Sequence, residues 1–233
     1  MNSMSCSYAD GCSFCREMGG KPEESRFSKL IHDDLDRRFL WKTENFVVVP
    51  GIGHLTHGYV LVRSRSHYLS ICSLPPELIA ELTQLRNDVA TTLGRIFNSD
   101  VISFEHGSVS ETRKGAGCTD HMHLHILPVP ALLKPRLSAM VELKRINGFE
   151  DLYAYRDAGT PYVFYAENLS DQFVFESTLL PKQFMRRIVA SAFGREMDWD
   201  WRQGVDTEGR AIEPQLLETI EMIERSRCAE SKL

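Results

Sequence analysis

The sequence predicts an α+β fold: an antiparallel β-sheet with one long helix packed on it, followed by a mixed α/β extension. Three observations carry this. Residues 121–126 alternate His121, His123 and His125 with Met122, Leu124 and Ile126, the period of a strand. Short runs rich in β-branched and aromatic residues (46–49, 59–63, 101–105) are separated by turn residues, as in an antiparallel meander. Between them Leu78, Leu82, Leu85, Val89 and Leu93 recur three and four apart, the stripe of an amphipathic helix.

Taken in order, the chain first offers Cys12-Ser13-Phe14-Cys15, a C-x-x-C pair that makes half a zinc site or a redox pair. Residues 21–36 are charged and mixed, and are expected to form a loop with a short helical turn. Arg38 to Val49 reads as strand material, Pro50-Gly51-Ile52-Gly53 as a turn, and Tyr59 to Arg63 as the next strand. His54 and His57 fall between the two and are expected in a loop at the mouth of any site. Ser73 is a candidate cap, with Pro75 and Pro76 tolerated in the first turn of a helix that runs to about Phe97 and ends at Asn98-Ser99-Asp100. Its apolar stripe reads as core. Val101 to Glu105 is expected to pair beside the histidine strand, and Ser108 to Thr119 forms the loop between them. Glycines in that loop let backbone N–H groups approach an anion. Arg113 and Lys114 put positive charge at its tip, or are simply solvated.

In the histidine strand, residues i, i+2 and i+4 share a face with steps of roughly 7 Å, so three imidazoles stand on one side and three apolar residues on the other. Pro128 and Pro130 lack the N–H of a ladder, which predicts that the strand stops or becomes an edge there. Leu132 to Arg145 is expected to hold a helix stopped by Asn147-Gly148. Tyr162 to Tyr165 and Phe173 to Phe175 read as a hairpin, Pro181 opens a helix with Phe184, Ile188 and Phe193 inward, and residues 213–228 form a last amphipathic helix. Gln183 and Arg186 lie three apart on one helical face and could reach an anion together.

Hydrophobic content of 42% and charged content of 25% describe an ordinary soluble globular protein. The net charge of −5 argues against a nucleic-acid footprint over the whole surface. No apolar run approaches the roughly 20 residues that span a membrane, and the N-terminus shows no signal peptide. A cytoplasmic location is the expectation. There the six cysteines are read as metal ligands or buried thiols rather than a disulfide framework.

Three readings of the histidine row stand open on the residues alone. It is a solvated face, a metal site, or a nucleophile flanked by groups that hold phosphate oxygens. His121-x-His123-x-His125 followed by apolar residues resembles the histidine triad (HIT) signature. Gly58-Tyr59-Val60-Leu61-Val62 with Ser66-His67 is similar to that family's strand-then-histidine segment. The resemblance covers roughly residues 10–130. It implies a HIT-like domain over 1–135, with 136–233 an extension packed on it. In larger HIT-like proteins a similar extension carries a Gln-Phe-x-Arg-Arg helix and a Trp-Arg pair, here from Gln183 and at Trp201-Arg202.

What the resemblance implies is a nucleotidyl hydrolase or nucleotidyltransferase. His123 attacks the α-phosphorus of a nucleotide ester to give a covalent intermediate, and His125 donates to a non-bridging oxygen. Substrate contacts would come from Gly117, Cys118, Thr119, His125, Gln183 and Arg186. Zinc-bearing members, including the galactose-1-phosphate uridylyltransferase branch, imply a structural zinc on Cys12, Cys15, His67 and His121, with Cys6 as a substitute ligand. Two departures are visible. Pro50 or Gly51 stands where the family carries an acid or amide for ribose, and Cys118 and Thr119 stand where glutamine or serine is common. The alternatives are a non-catalytic HIT-like zinc protein acting as a binding module, and a metal-dependent hydrolase that uses all three triad histidines. A nucleotide or nucleotide ester is the expected partner, with neither nucleic acid nor membrane. The family's dimers imply a homodimer unless the extension covers that surface.

Overall fold

The computed structural model describes residues 9, 11–19, 35–53, 55–117, 121–202 and 213–230. Its centre is an eight-stranded sheet in which every pairing is antiparallel. The strands are β1 (Trp41–Lys42), β2 (Phe46–Pro50), β3 (Val60–Ser64), β4 (Asp100–Gly107), β5 (His123–Val129), β6 (Lys144–Arg145), β7 (Tyr162–Glu167) and β8 (Asp171–Glu176), in the order β1-β2-β3-β5-β4-β7-β8-β6. The helices are α1 (Ser13–Met18), α2 (Ile79–Phe97), α3 (Lys134–Ser138), α4 (Tyr153–Asp157), α5 (Phe184–Ala192) and α6 (Glu213–Glu230). No helix among the described residues is long and apolar enough to cross a membrane.

Alternation along the strands divides the interior in two. Val60, Val62, Met122, Leu124 and Ile126 face α2, whose Leu82, Leu85, Val89 and Leu93 are buried against them, together with Leu216, Ile220 and Ile223 of α6. Each such side chain contributes about 1.5–3 kcal/mol on burial, so this face holds the sheet and both helices as one unit. Tyr59, Leu61, Phe104, Val163, Tyr165, Phe173 and Phe175 face the other way, where Phe184, Met185, Ile188 and Val189 of α5 cover them. The histidines lie on this second face.

Four local expectations change. The strand expected over 38–49 is broken at 43–45: Leu35–Arg38 is a 3-10 turn, and β1 and β2 form a tight hairpin in which the Thr43 hydroxyl accepts the Phe46 N–H. Ser73 does not cap α2; it closes a capping box with Ser70 on the preceding 3-10 turn, Ile71–Ser73. Instead of a helix over 132–145, only Lys134–Ser138 is helical and Lys144–Arg145 joins β8 as an edge strand. The triad strand is interior, between β3 and β4, and runs through Pro128 to Val129. The last β3 partner is Val60 opposite Ile126, so Pro128 lies where only the β4 ladder continues and the missing N–H is tolerated. Beyond residue 136, β7 pairs with β4 from Ile102 to Gly107.

Candidate functional site

The register fixes the neighbours of each imidazole. Arg63 is opposite His123 and Leu61 opposite His125 on β3, while Phe104 is opposite His125 on β4. Tyr59, two residues from Leu61 and on the same face, is a diagonal neighbour of His125. The His125 ring is stacked on Phe104 at 4.3 Å between centroids and 12° between planes, and the Tyr59 ring lies nearly parallel to it at 5.8 Å and 10°. Its Nδ1 lies 2.6 Å from the Tyr59 hydroxyl, and its Nε2 is buried without a partner among the described residues.

His123 is edge-on to His125, with centroids 4.9 Å apart. Its Nδ1–H donates to the His121 carbonyl at 2.6 Å, which leaves the lone pair on Nε2. Burial is the main reason that His123 titrates low, at about 4, with Arg63 and Arg186 adding to the effect. His125 is held well below its usual value, first by burial, then by His123, His106 and Arg186. Both rings are therefore neutral near pH 7. His106 on β4, also buried and lowered to about 3 chiefly by burial, accepts the Met185 N–H of α5 at 3.1 Å.

His121 faces a different set of atoms. Its Nδ1 is 3.4 Å from Cys12 Sγ and 3.5 Å from Cys15 Sγ, and Cys15 Sγ is 3.3 Å from His67 Nδ1. The four donor atoms all lie within 4.8 Å of one another. A tetrahedral zinc with its usual bonds to sulfur and nitrogen needs edges of about 3.5 Å between unlike ligands, so two sulfurs and two nitrogens here fit that ion. The Nε2–H of His121 donates to the Ser64 carbonyl at 2.8 Å, which leaves Nδ1 bare for a metal. Burial raises the Cys15 thiol to about 11, a penalty that metal binding to a thiolate would reverse. Among the described residues this group takes only His121 from the row. The geometry thus argues against all three triad rings sharing one open metal.

The cysteine helix also reaches the catalytic candidates. Phe14 of α1 lies edge-on to His121 and His123, with centroids 5.5 and 5.7 Å away, and the Arg63 guanidinium sits 4.3 Å from its ring centre. Glu17 on the same helix, itself buried, pairs with Arg63 and, at 3.3 Å, with Arg38. Nε and Nη2 of Arg63 have no hydrogen-bond partner among the described residues.

The remaining sequence candidates separate. Gln183 is buried at the left-handed entry to α5; its backbone N–H donates to Ala116 O, its Nε2 to Asp200 Oδ1, and its Oε1 has no partner among the described residues. Arg186 is buried, and each of its nitrogens donates to a protein acceptor: Nε to Trp199 O at 2.7 Å, Nη1 to the Tyr59 hydroxyl at 2.9 Å and Nη2 to Gly53 O at 2.7 Å. It stands behind His125 rather than at the end of an open helix face. Gly117 packs beside the Ser108 hydroxyl, and Gly115 packs at positive φ against Ser177 and Pro161. Arg113 donates to Gly159 O, so part of this loop is fastened to the extension. His57 bonds Glu218 of α6 at 2.7 Å, on the helix side of the sheet and away from the triad. Cys118, Thr119, His54 and Cys6 lie outside the described residues. Sequence reasoning missed Tyr59, Arg63, Ser64 and His106. The period-two alternation of Tyr59, Leu61 and Arg63 was the available signal for two of them, once β3 is paired beside β5.

No protein-family model and no curated protein matches the chain. Solved structures do match. One is a HIT family protein from Bacillus anthracis, at 22% identity over 52% of this chain and 74% of that one, TM-score 0.40. A Zn-bound histidine triad family protein from Mycobacterium smegmatis matches at 18% identity over 64% and 92%, TM-score 0.38. Yeast Ap4A phosphorylase in complex with AMP matches at 11% identity over 58% and 56%, TM-score 0.36. At these identities and TM-scores no argument about chemistry passes from those proteins to this one. The chain carries a histidine triad motif in its sequence and resembles histidine triad proteins among solved structures.

Proposed function

We propose that the protein is a nucleotidyl hydrolase or nucleotidyltransferase acting at the α-phosphate of a nucleotide ester, with His123 as nucleophile. The observation that carries this is the 2.6 Å hydrogen bond from His123 Nδ1–H to the His121 carbonyl, which commits the proton to one nitrogen and the lone pair to the other. Neutrality follows from burial, so the lone pair is available at physiological pH. Attack by Nε2 forms an N–P bond and breaks the P–O bond to the leaving group, which takes its proton from water or already carries it. His125, edge-on at 4.9 Å, presents its own Nε2 to a non-bridging oxygen. Arg63, opposite His123, adds positive charge on the same side. In the second step water, a phosphate or a sugar phosphate displaces the imidazole.

The zinc assignment is part of this reading. Cys12, Cys15, His67 and His121 would hold the ion, which supplies a cross-link between α1 and the approach to β5 and no open coordination position. The substrate is a nucleotide or nucleotide ester.

The test is incubation with a panel of radiolabelled nucleotide sugars, dinucleoside polyphosphates and nucleoside phosphoramidates, followed by an alkaline quench that preserves phosphoimidazole. Label should stay on the wild-type chain, be released by acid and be lost in His123→Ala. An adduct that persists in His123→Ala removes His123 from the mechanism.

A further inference from the structure

We propose that Tyr59 and Arg186 are positioning residues that set the tautomer of His125, so that its Nε2 carries a proton for a phosphate oxygen. Three hydrogen-bonding groups stand in a row: Arg186 Nη1, the Tyr59 hydroxyl at 2.9 Å, and His125 Nδ1 at 2.6 Å from that hydroxyl. A guanidinium can only donate, so the phenol oxygen accepts from Arg186. The phenol proton is then directed to His125 Nδ1, which accepts it. A neutral imidazole with an accepting Nδ1 carries its one proton on Nε2.

That nitrogen is buried and has no hydrogen-bond partner among the described residues, on a residue only 4% exposed. A donor left in this state costs about 1–3 kcal/mol in an ordinary core. At a site for an anion it is the group that the ligand completes. Phe104 stacked on its face and the bond between Nδ1 and the Tyr59 hydroxyl hold the ring against turning to present the other nitrogen. Arg186 is fixed in its turn by Gly53 O and Trp199 O, so residues just before β3, in the turn ahead of it, on α5 and in the segment after α5 all bear on one nitrogen. His123 and His125 thereby present opposite functions from one face: a lone pair on one Nε2 and a proton on the other. Without the phenol, His125 Nδ1 has no donor and the proton is shared between the two nitrogens.

This inference rests on the nucleotidyl-transfer reading for its ligand, but its structural content is measured without substrate. Long-range ¹H–¹⁵N correlation of protein labelled in histidine nitrogen, at neutral pH, reads the tautomer of each ring. In the wild type His125 should show a protonated Nε2 and a bare Nδ1. In Tyr59→Phe, which keeps the aromatic ring, the Nδ1 and Nε2 signals should move toward each other as the proton is shared, with an unfolding midpoint near wild type. On the substrate that labels His123, Tyr59→Phe should turn over about tenfold more slowly, the effect of one hydrogen bond in the transition state, with KM within about twofold. A wild-type His125 protonated at Nδ1, or a Tyr59→Phe enzyme with unchanged kcat and unchanged nitrogen shifts, overturns the proposal. Failure of the wild type to form any adduct overturns the functional reading and leaves the tautomer result to stand or fall on its own spectrum.

Discussion

Glu105 offers a quantitative test of how the sheet is built, well away from the triad. It lies on β4 with its side chain 1% exposed, on the helix-facing side. One carboxyl oxygen accepts the Ile71 N–H at 2.8 Å and the other the Tyr162 hydroxyl at 2.7 Å, both neutral donors. Cys72, whose thiol is itself raised by burial, and Tyr162, raised well above its usual value, are its titratable neighbours, and Arg156 donates to the Cys72 carbonyl. Burial raises the carboxyl to about 8 from 4.5, against the lowering effect of the two hydrogen bonds. The sign follows directly. Between pH 4.5 and 8 the folded chain keeps a proton that the unfolded chain has lost, so this group's stabilising contribution is complete below 4.5 and falls as pH rises to 8. At 1.36 kcal/mol per pH unit the total is about 5 kcal/mol at most. Glu105→Gln removes the titration while keeping an acceptor for Ile71 and placing an amide against the Tyr162 oxygen. Urea unfolding at pH 5, 6.5 and 8.5 should give near-equal stabilities at pH 5 and a Gln variant that is more stable by several kcal/mol at pH 8.5. Equal slopes of stability against pH in the two proteins would refute the reasoning.

Glu17→Gln should destabilise the fold by about 3–5 kcal/mol, because two buried guanidiniums, Arg38 and Arg63, lose their carboxylate; urea titration at neutral pH checks this. Gly53→Ala should cost more than about 2 kcal/mol, since Gly53 has φ of 74° and an added Cβ would lie 2.4 Å from the Trp201 backbone; a thermal midpoint within a degree of wild type would contradict it. Cys12→Ser and His67→Ala should each reduce bound zinc from about one per chain to near zero, with a lower unfolding midpoint, and full occupancy by elemental analysis in both would refute the four-ligand site.

What could be read from the sequence was local. The alternation of His121, His123 and His125 with Met122, Leu124 and Ile126 is a property of one strand, and it places rings and core correctly. The α2 stripe and the β7–β8 hairpin are likewise set by residues near in sequence. The zinc group came only through a family resemblance, since Cys12 and His121 are 109 residues apart and no spacing rule joins them. Arg63 and Tyr59 needed the β3–β5 register, and the pairing of β7 on β4 needed a choice of edge that periodicity does not encode. The acceptors of Arg186 were not legible for the same reason. A cation on an amphipathic helix looks ready for an anion until the carbonyls of Gly53 and Trp199 arrive from elsewhere.

Those distant arrivals explain why the histidine face behaves as an interior. Imidazoles displayed on the open side of a sheet would titrate near 6.5. Here α1 covers His121 and His123 through Phe14, and α5 with Trp199 stands over the region of His125 through Arg186 and Tyr59. Burial is the largest cause of the lowered value at all three rings. The two covers come from opposite ends of the chain, each anchored by polar groups that leave few alternatives: four candidate metal ligands on one side, a three-way guanidinium on the other. Loosening either one should therefore raise the histidine pKa values on its own side first, His123 for α1 and His125 for α5. Histidine titrations followed separately by NMR in Phe14→Ala and Arg186→Met would show that asymmetry, and a uniform rise of both rings in either variant would mean that the face opens as one piece.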